Sequence, residues 1–339
     1  MLIIFCVTFI GMMGFGIILP LFPFYAERMG ASPEVITLTM AAFSLGQFIA
    51  APYWGRLSDS IGRKKTLAIT LLGSGISYVI LAYAPTLTIV ILSRVLSGLM
   101  AGNIAVAFAY VSDITTDENR SAGLGKVSAG LGLGFMVGPA IGGMLAGNSV
   151  ESANYLLTAL SAAAINFIAM FATLFFLKES LDDSSKKPFE GLSKIINLET
   201  FKPSKIILPL TVCGLIFYIS MAIMESIFPL WANDIFLYGP SKIGAVFFML
   251  GLIAVIIQGG LIGPLTGLLG EKKLVQLAAL SLILGLGLIG SATDTIVLWI
   301  GLFFFGCGTS MFNPSLSSMI SKSAQKHERG KYLGQYQSA

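Results

Sequence analysis

The chain has 339 residues, 55% hydrophobic and only 11% charged, with a formal net charge of +4. A mean hydropathy of +0.85 is more apolar surface than a water-soluble fold buries, so a bilayer is the expected solvent. The small basic excess does not point to nucleic acid, because the bases are divided among short loops and form no patch. In chain order, ten mostly apolar runs are long enough to cross the hydrocarbon as helices: 2–24, 35–57, 66–84, 86–111, 123–147, 154–177, 206–232, 241–262, 273–292 and 295–319. They lack the strict alternation of a membrane barrel. The first has no charged leader and no small-residue cleavage site, so it reads as a span rather than a signal peptide.

With Met1 inside, successive loops alternate across the membrane. Of the 21 bases, only Arg28 and Lys242 then fall at the outside, and only Arg94 falls well within a span rather than in a loop or at a span's end. This bias places the N-terminus, the stretch 178–205 and residues 320–332 in the cytoplasm. Cys6, Cys213 and Cys307 all lie in apolar runs, and His327 stands alone in a polar loop. No disulfide framework, metal site or cofactor is expected from that spacing. No nucleophile or phosphate-binding constellation is present either, so an enzyme is not expected.

The sequence repeats. GRLSDSIGRKK at 55–65 and GPLTGLLGEKK at 263–273 share Gly55/Gly263, Gly62/Gly270 and the two final lysines, at an offset of 208. VSDITTDENRSAGLG from Val111 lies over ISKSAQKHERGKYLG from Ile320, and LPL at Leu19 over FPL at Phe228, both at 209. The expected architecture is an all-α membrane protein of two parallel-repeat bundles with six plus four spans. The first bundle is 1–177, a cytoplasmic linker is 178–205, and the second bundle is 206–339 with a truncated end. By the repeat, two spans of the second half are missing, and the sequence is expected to be a fragment.

GRLSDSIGRKK resembles the signature loop between spans two and three of the major facilitator superfamily, at Gly55, Leu57, Asp59, Gly62, Arg63 and Lys64. LSRVLSGLMAG (92–102), with Arg94 and Gly98, resembles the fourth-span motif of its drug/proton antiporter branch. GFMVGPAIGG (134–143) resembles that branch's fifth-span motif, and AYVSDITTDENR resembles tetracycline and multidrug exporters. The resemblance implies a gate at Gly55, Asp59, Gly62, Arg63 and Asp113. Arg63 would pair with Asp113, and Asp59 would meet the positive end of an eleventh helix. It also implies a helix-packing motif at Gly134, Gly138, Pro139, Gly142 and Gly143 that seals the outer side. From the residues alone, Gly55 and Gly62 permit a tight turn, and the four bases of the loop are an orientation signal. Gly130, Gly134, Gly138 and Gly142 form a ridge on which helices approach closely, with Gly259, Gly263 and Gly267 as a candidate partner ridge.

Arg94 and Glu225 are the charges placed well within spans. A charge there costs on the order of 2.5–3.5 kcal/mol even on the gentler insertion scales, so a function is the default expectation. Tyr218, Met221, Glu225 and Phe228 recur at three- and four-residue steps and would share one helix face. A carboxylate among rings and a pliable thioether suits a lipophilic cation. Desolvation penalises the ionised carboxylate, so proton and cation would compete for it. The family resemblance gives Arg94 a part in tuning that proton; the plain alternative is a structural bond to carbonyls of neighbouring helices. By alignment with tetracycline exporters, Gln258 would line the substrate cavity, while Ala254 and Ser310 stand where relatives carry a histidine or an acid. The expectation is a monomeric, multi-pass exporter of the cytoplasmic (inner) membrane of a bacterium. Its partners would be protons, a drug-like small molecule and lipid. A sugar or metabolite exporter and a non-transporting membrane sensor are the alternatives.

Overall fold

The computed structural model describes residues 1–181 and 207–323. Most of the expected linker, and the stretch after the tenth span, lie outside the described residues. Every regular element among them is helical: α1 (Leu2–Ile18), α2 (Phe22–Arg28), α3 (Pro33–Ile61), α4 (Arg63–Ala82), α5 (Leu87–Met100), α6 (Asn103–Ile114), α7 (Asp117–Ala146) and α8 (Tyr155–Phe176). There follow α9 (Ile207–Ser226), α10 (Phe228–Phe236), α11 (Pro240–Ile256), a π-helical turn Ile257–Leu261, α12 (Ile262–Gly290) and α13 (Thr295–Ser323).

The breaks inside spans have local causes. Pro20 and Pro23 lack the N–H that would carry α1 onward, and α2 starts afresh around Pro23. Pro229 does the same between α9 and α10. The fourth span divides at Ala101–Gly102, where the Trp54 ring occupies the space a side chain on Gly102 would need. Trp54 Nε1 donates to the carbonyl of Leu99 at 2.6 Å, satisfying an acceptor that the interruption frees.

Among the described residues, nine helical stretches are long and apolar enough to cross a membrane, against ten runs in the sequence. The difference lies in Pro240–Gly290, which runs for 51 residues. At ~1.5 Å per residue that is about 75 Å, roughly two and a half times the hydrocarbon thickness. Gly270, with φ 74 and ψ 157, is non-helical within it and divides it into two crossings.

The described residues fall into two compact units, divided as Met1–Ile196 with Pro229–Ala245, and Asn197–Phe228 with Val246–Ala339. In the first, α1 packs against α7 and α8, α4 against α8, and α3 against α5; in the second, α12 packs against α13. Large apolar side chains such as Leu45, Phe48, Phe175 and Ile283 point outward. In lipid that exposure carries no hydrophobic penalty, so helix association rests on close packing instead. The buried face of α4 is polar but self-satisfied: Thr66, Thr70 and Ser77 return their hydroxyls to carbonyls one turn earlier.

Candidate functional site

The polar stretch 55–65 is not a loop. α3 continues as helix to Ile61 and α4 begins at Arg63, so Gly62 alone makes the turn. Gly62 has φ 103 and ψ 151, a conformation closed to residues with a side chain. Gly55 corrects the reading of paired turn glycines. It sits inside α3, and a Cβ there would meet nothing within 4 Å. Its contribution is a carbonyl that accepts from Ser58 Oγ at 2.6 Å.

Arg63 gathers the turn. Its Nη2 meets Asp59 Oδ1 at 2.6 Å, across the turn at the end of α3. Its Nε donates to Asp113 Oδ2 at 2.9 Å, near the end of α6, and its Nη1 donates to Ser58 Oγ. The Arg63 side chain is 9% exposed, against 40% for Asp59 and 25% for Asp113. A guanidinium forking between two carboxylates is the geometry in which charge-assisted hydrogen bonds are strongest. A further member was missed in the sequence. Glu179, just past α8, accepts from the backbone N–H of Arg63 at 2.8 Å and of Lys64 at 3.3 Å. It thereby caps the unsatisfied donors and the positive end of α4. Its carboxylate fills the space where a Gly62 side chain would go. Ser180 adds a bond to Asp113 at 3.1 Å.

The repeat offsets carry Arg63 onto Glu271 and Asp113 onto Lys322. Those two residues form an ion pair in the second half, with Ser318 donating to Glu271 at 3.2 Å. The charges are exchanged relative to the first half, which is why residue matching alone did not find the pair.

The glycine ridge of α7 meets α1. Cβ atoms on Gly130, Gly134 and Gly138 would press on Phe5, Phe9 and Met13 carbonyls or on Thr8 at 2.5–2.9 Å. Gly142 lies against Ile17. The suggested partner ridge is not one: Cβ atoms on Gly259, Gly263 and Gly267 would meet nothing within 4 Å. The other edge of α7 does reach later sequence inside the first unit. Gly143 faces the Pro240 carbonyl and the Gly244 Cα at 3.1 Å, Gly244 lies against the Pro139 carbonyl, and Ser241 N–H donates to Gly147 at 3.1 Å.

Arg94 is 4% exposed on α5. Its guanidinium lies over the rings of Tyr78 and Phe22, at 5.2 and 5.5 Å from their centroids. Nε and Nη2 have no hydrogen-bond partner, so the carbonyl-binding alternative does not hold for these atoms. Cation–π contact and the Tyr78 hydroxyl are what this desolvated cation has instead. Glu225 lies in the last turn of α9, part-buried, with no hydrogen bond or ion pair to its carboxylate among the described residues. Tyr218 and Met221 precede it on the same helix, whereas Phe228 belongs to α10 beyond the break. Gln258 is exposed on the π-helical turn. α13 packs against both α9 and that turn.

Helices of bilayer length, built as a repeat with an acid and a base held inside spans, define a polytopic membrane carrier. The sequence profile of the Major Facilitator Superfamily matches residues 4–339, and the chain belongs to that family. It is 34% identical over 279 residues to multidrug resistance protein 2 of Bacillus subtilis (strain 168), covering 80% of this chain and 68% of the relative. It is 29% identical over 334 residues to the class E tetracycline resistance protein of Escherichia coli, covering 97% and 81%. Two solved structures share the fold. The human organic anion transporter MFSD10 has a TM-score of 0.69 at 23% identity, covering 99% of this chain and 88% of that one. The nucleoside transporter NupG has a TM-score of 0.76 at 13% identity, covering 99% and 86%.

Proposed function

We propose that the chain is a proton-coupled antiporter that exports amphiphilic drug-like compounds across the cytoplasmic membrane by alternating access. Relatives named for multidrug and tetracycline resistance support the solute class. The observation that carries the coupling is Glu225, an acid in the last turn of α9 that no base or donor engages among the described residues. Such a carboxylate exchanges its proton for a solute cation rather than for a fixed partner. Its repeat counterpart, Gly16, is a packing residue: a Cβ there would press on Pro139 at 2.9 Å. The acid is therefore no part of the shared scaffold. In this reading Arg94 tunes the proton, while Tyr218, Met221, Phe228 and Gln258 contact solute. Asp59, Arg63 and Asp113 close the cytoplasmic side, where the N-terminus also lies.

The test is proton release. Purified protein in weakly buffered detergent should acidify the medium when tetraphenylphosphonium is added, and Glu225→Gln should not. Undiminished release by Glu225→Gln would remove Glu225 from the coupling and leave it a structural acid.

A further inference from the structure

The first unit holds a half-open cavity of about 120 Å³ among α1, α3, α4, α5, α6, α7 and α8. None of the residues expected to touch solute lines it. No Asp, Glu, Lys, Arg or His lines it either. Its polar wall is made of carboxamides and hydroxyls. Gln47 and Asn103 have no hydrogen-bond partner among the described residues. Asn166 is 2% exposed and donates from Nδ2 to the Ala162 carbonyl at 2.8 Å, which leaves its Oδ1 to accept. Each free carboxamide offers donors and an acceptor, so the cavity matches a solute group of mixed hydrogen-bonding character and no net charge. Leaving such groups unmatched on a desolvated ligand is costly, which makes the match selective.

Two aromatic features fix shape and sign. Phe15 and Phe43 stack at 5.2 Å between centroids and both face the cavity, an apolar wall against which a ring can lie. Opposite in character is Tyr78, which lines the cavity with Arg94 stacked on its ring at 5.2 Å. Two of the three guanidinium nitrogens of Arg94 have no hydrogen-bond partner, and among the described residues no carboxylate pairs with it; the Tyr78 hydroxyl is the polar group it meets. A buried cation one ring away repels a cationic group in a low-dielectric site and attracts an electron-rich acceptor. The volume is somewhat below the roughly 150 Å³ that takes benzene whole, so a ring enters with part of it at the open side.

We infer that the first unit holds a solute subsite of its own, specific for an uncharged, ring-sized group bearing a hydrogen-bond acceptor, of which an aryl carboxamide is the simplest example. The subsite rests on the reading of the chain as an amphiphile carrier. In that reading a cationic group is recognised at Glu225, and a neutral polar group at the cavity.

Benzamide and benzamidinium have nearly one shape and differ in charge, so they separate the two sites. Saturation-transfer NMR on the purified full chain in detergent should show benzamide bound. The signal should fall about fivefold, the net worth of one hydrogen bond, in Gln47→Met and in Asn103→Leu. It should not change in Glu225→Gln. Benzamidinium should show the converse pattern. Two near-isosteric substitutions at part-exposed positions guard against a folding defect in either one. Benzamide binding untouched by both substitutions overturns the subsite. So does benzamide binding lost in Glu225→Gln, which would mean one shared site. Benzamidinium indifferent to Glu225→Gln, with the benzamide pattern intact, counts against the coupling role of Glu225 while upholding the subsite.

Discussion

At the α3–α4 turn Gly62 adopts φ 103 and ψ 151; within α12 Gly270 adopts φ 74 and ψ 157. Each glycine is followed at once by a charged residue that reaches the penultimate position of a later helix. Arg63 reaches Asp113 on α6, and Glu271 reaches Lys322 on α13. The polarity is opposite, because an ion pair fastens two helix ends equally well with its members exchanged. What differs is depth and company. Arg63 is 9% exposed and also holds Asp59 and Ser58, with Glu179 capping the helix behind it. Lys322 is 67% exposed, and Gly267 stands where Asp59 would be. The two copies thus share a mechanical part, a glycine turn tied to a helix end. Among the described residues only the first adds further charged partners, and that is the copy proposed above to close the cytoplasmic side.

Alanine at the two glycines separates the shared part from the elaboration, and Gly62→Ala should have the largest effect. A side chain in that backbone region costs about 1–3 kcal/mol, and displacing Glu179 from two N–H groups brings the total to about 2–4 kcal/mol. Gly270→Ala should show only the strain, about 1–3 kcal/mol, since the space beside Gly270 is open. Thermal unfolding of the purified variants measures both. Equal shifts would mean that Glu179 contributes nothing to the first turn.

Next in size is Arg63→Ala, expected to cost about 2–3 kcal/mol, below the range for a fully buried pair because both carboxylates keep some water. The exchange Arg63→Asp with Asp113→Arg should fail to recover that loss. It would set two aspartates, 59 and 63, against each other across the Gly62 turn, and would leave Ser58 facing an acid. Recovery in unfolding assays would show that the first-half network is no more than a pair.

The sequence displayed the parts of this comparison that depend on rarity. Charges are few in an apolar chain, so Arg63, Asp113, Arg94 and Glu225 stood out, and the recurring glycines exposed the repeat. It hid what depends on direction and approach. Hydropathy ends a span where polar residues begin, so it lost the last turn of α3 and made a loop of a helix. Four-residue spacing announced that α7 has a face for close packing, but nothing in spacing says that α1 fills it. Glu179 caps α4 only because the chain leaves α8 beside that helix end. Phe228 seemed to continue the face of Glu225 because periodicity does not register that Pro229 restarts the helix. The Glu271–Lys322 pair was masked because a reversed pair scores as two mismatches.

The smallest effect is the one that defines the second copy. Exchanging its members, Glu271→Lys with Lys322→Glu, gives it the polarity of the first half. Exposed pairs are weak and screened by salt. Each single substitution should therefore lower the unfolding midpoint only slightly, less at high ionic strength than at low. The double exchange should restore it, because among the described residues no third charge pairs with it as Asp59 does: Ser318, whose hydroxyl now donates to Glu271, can turn to accept from lysine. A double-mutant cycle at low salt isolates the coupling from each residue's own effect. A coupling that vanishes at low salt would make the ion pair incidental. A coupling present but not recovered on exchange would place a hidden determinant of sign in the second half, and the contrast with the Arg63 network would then be one of strength alone.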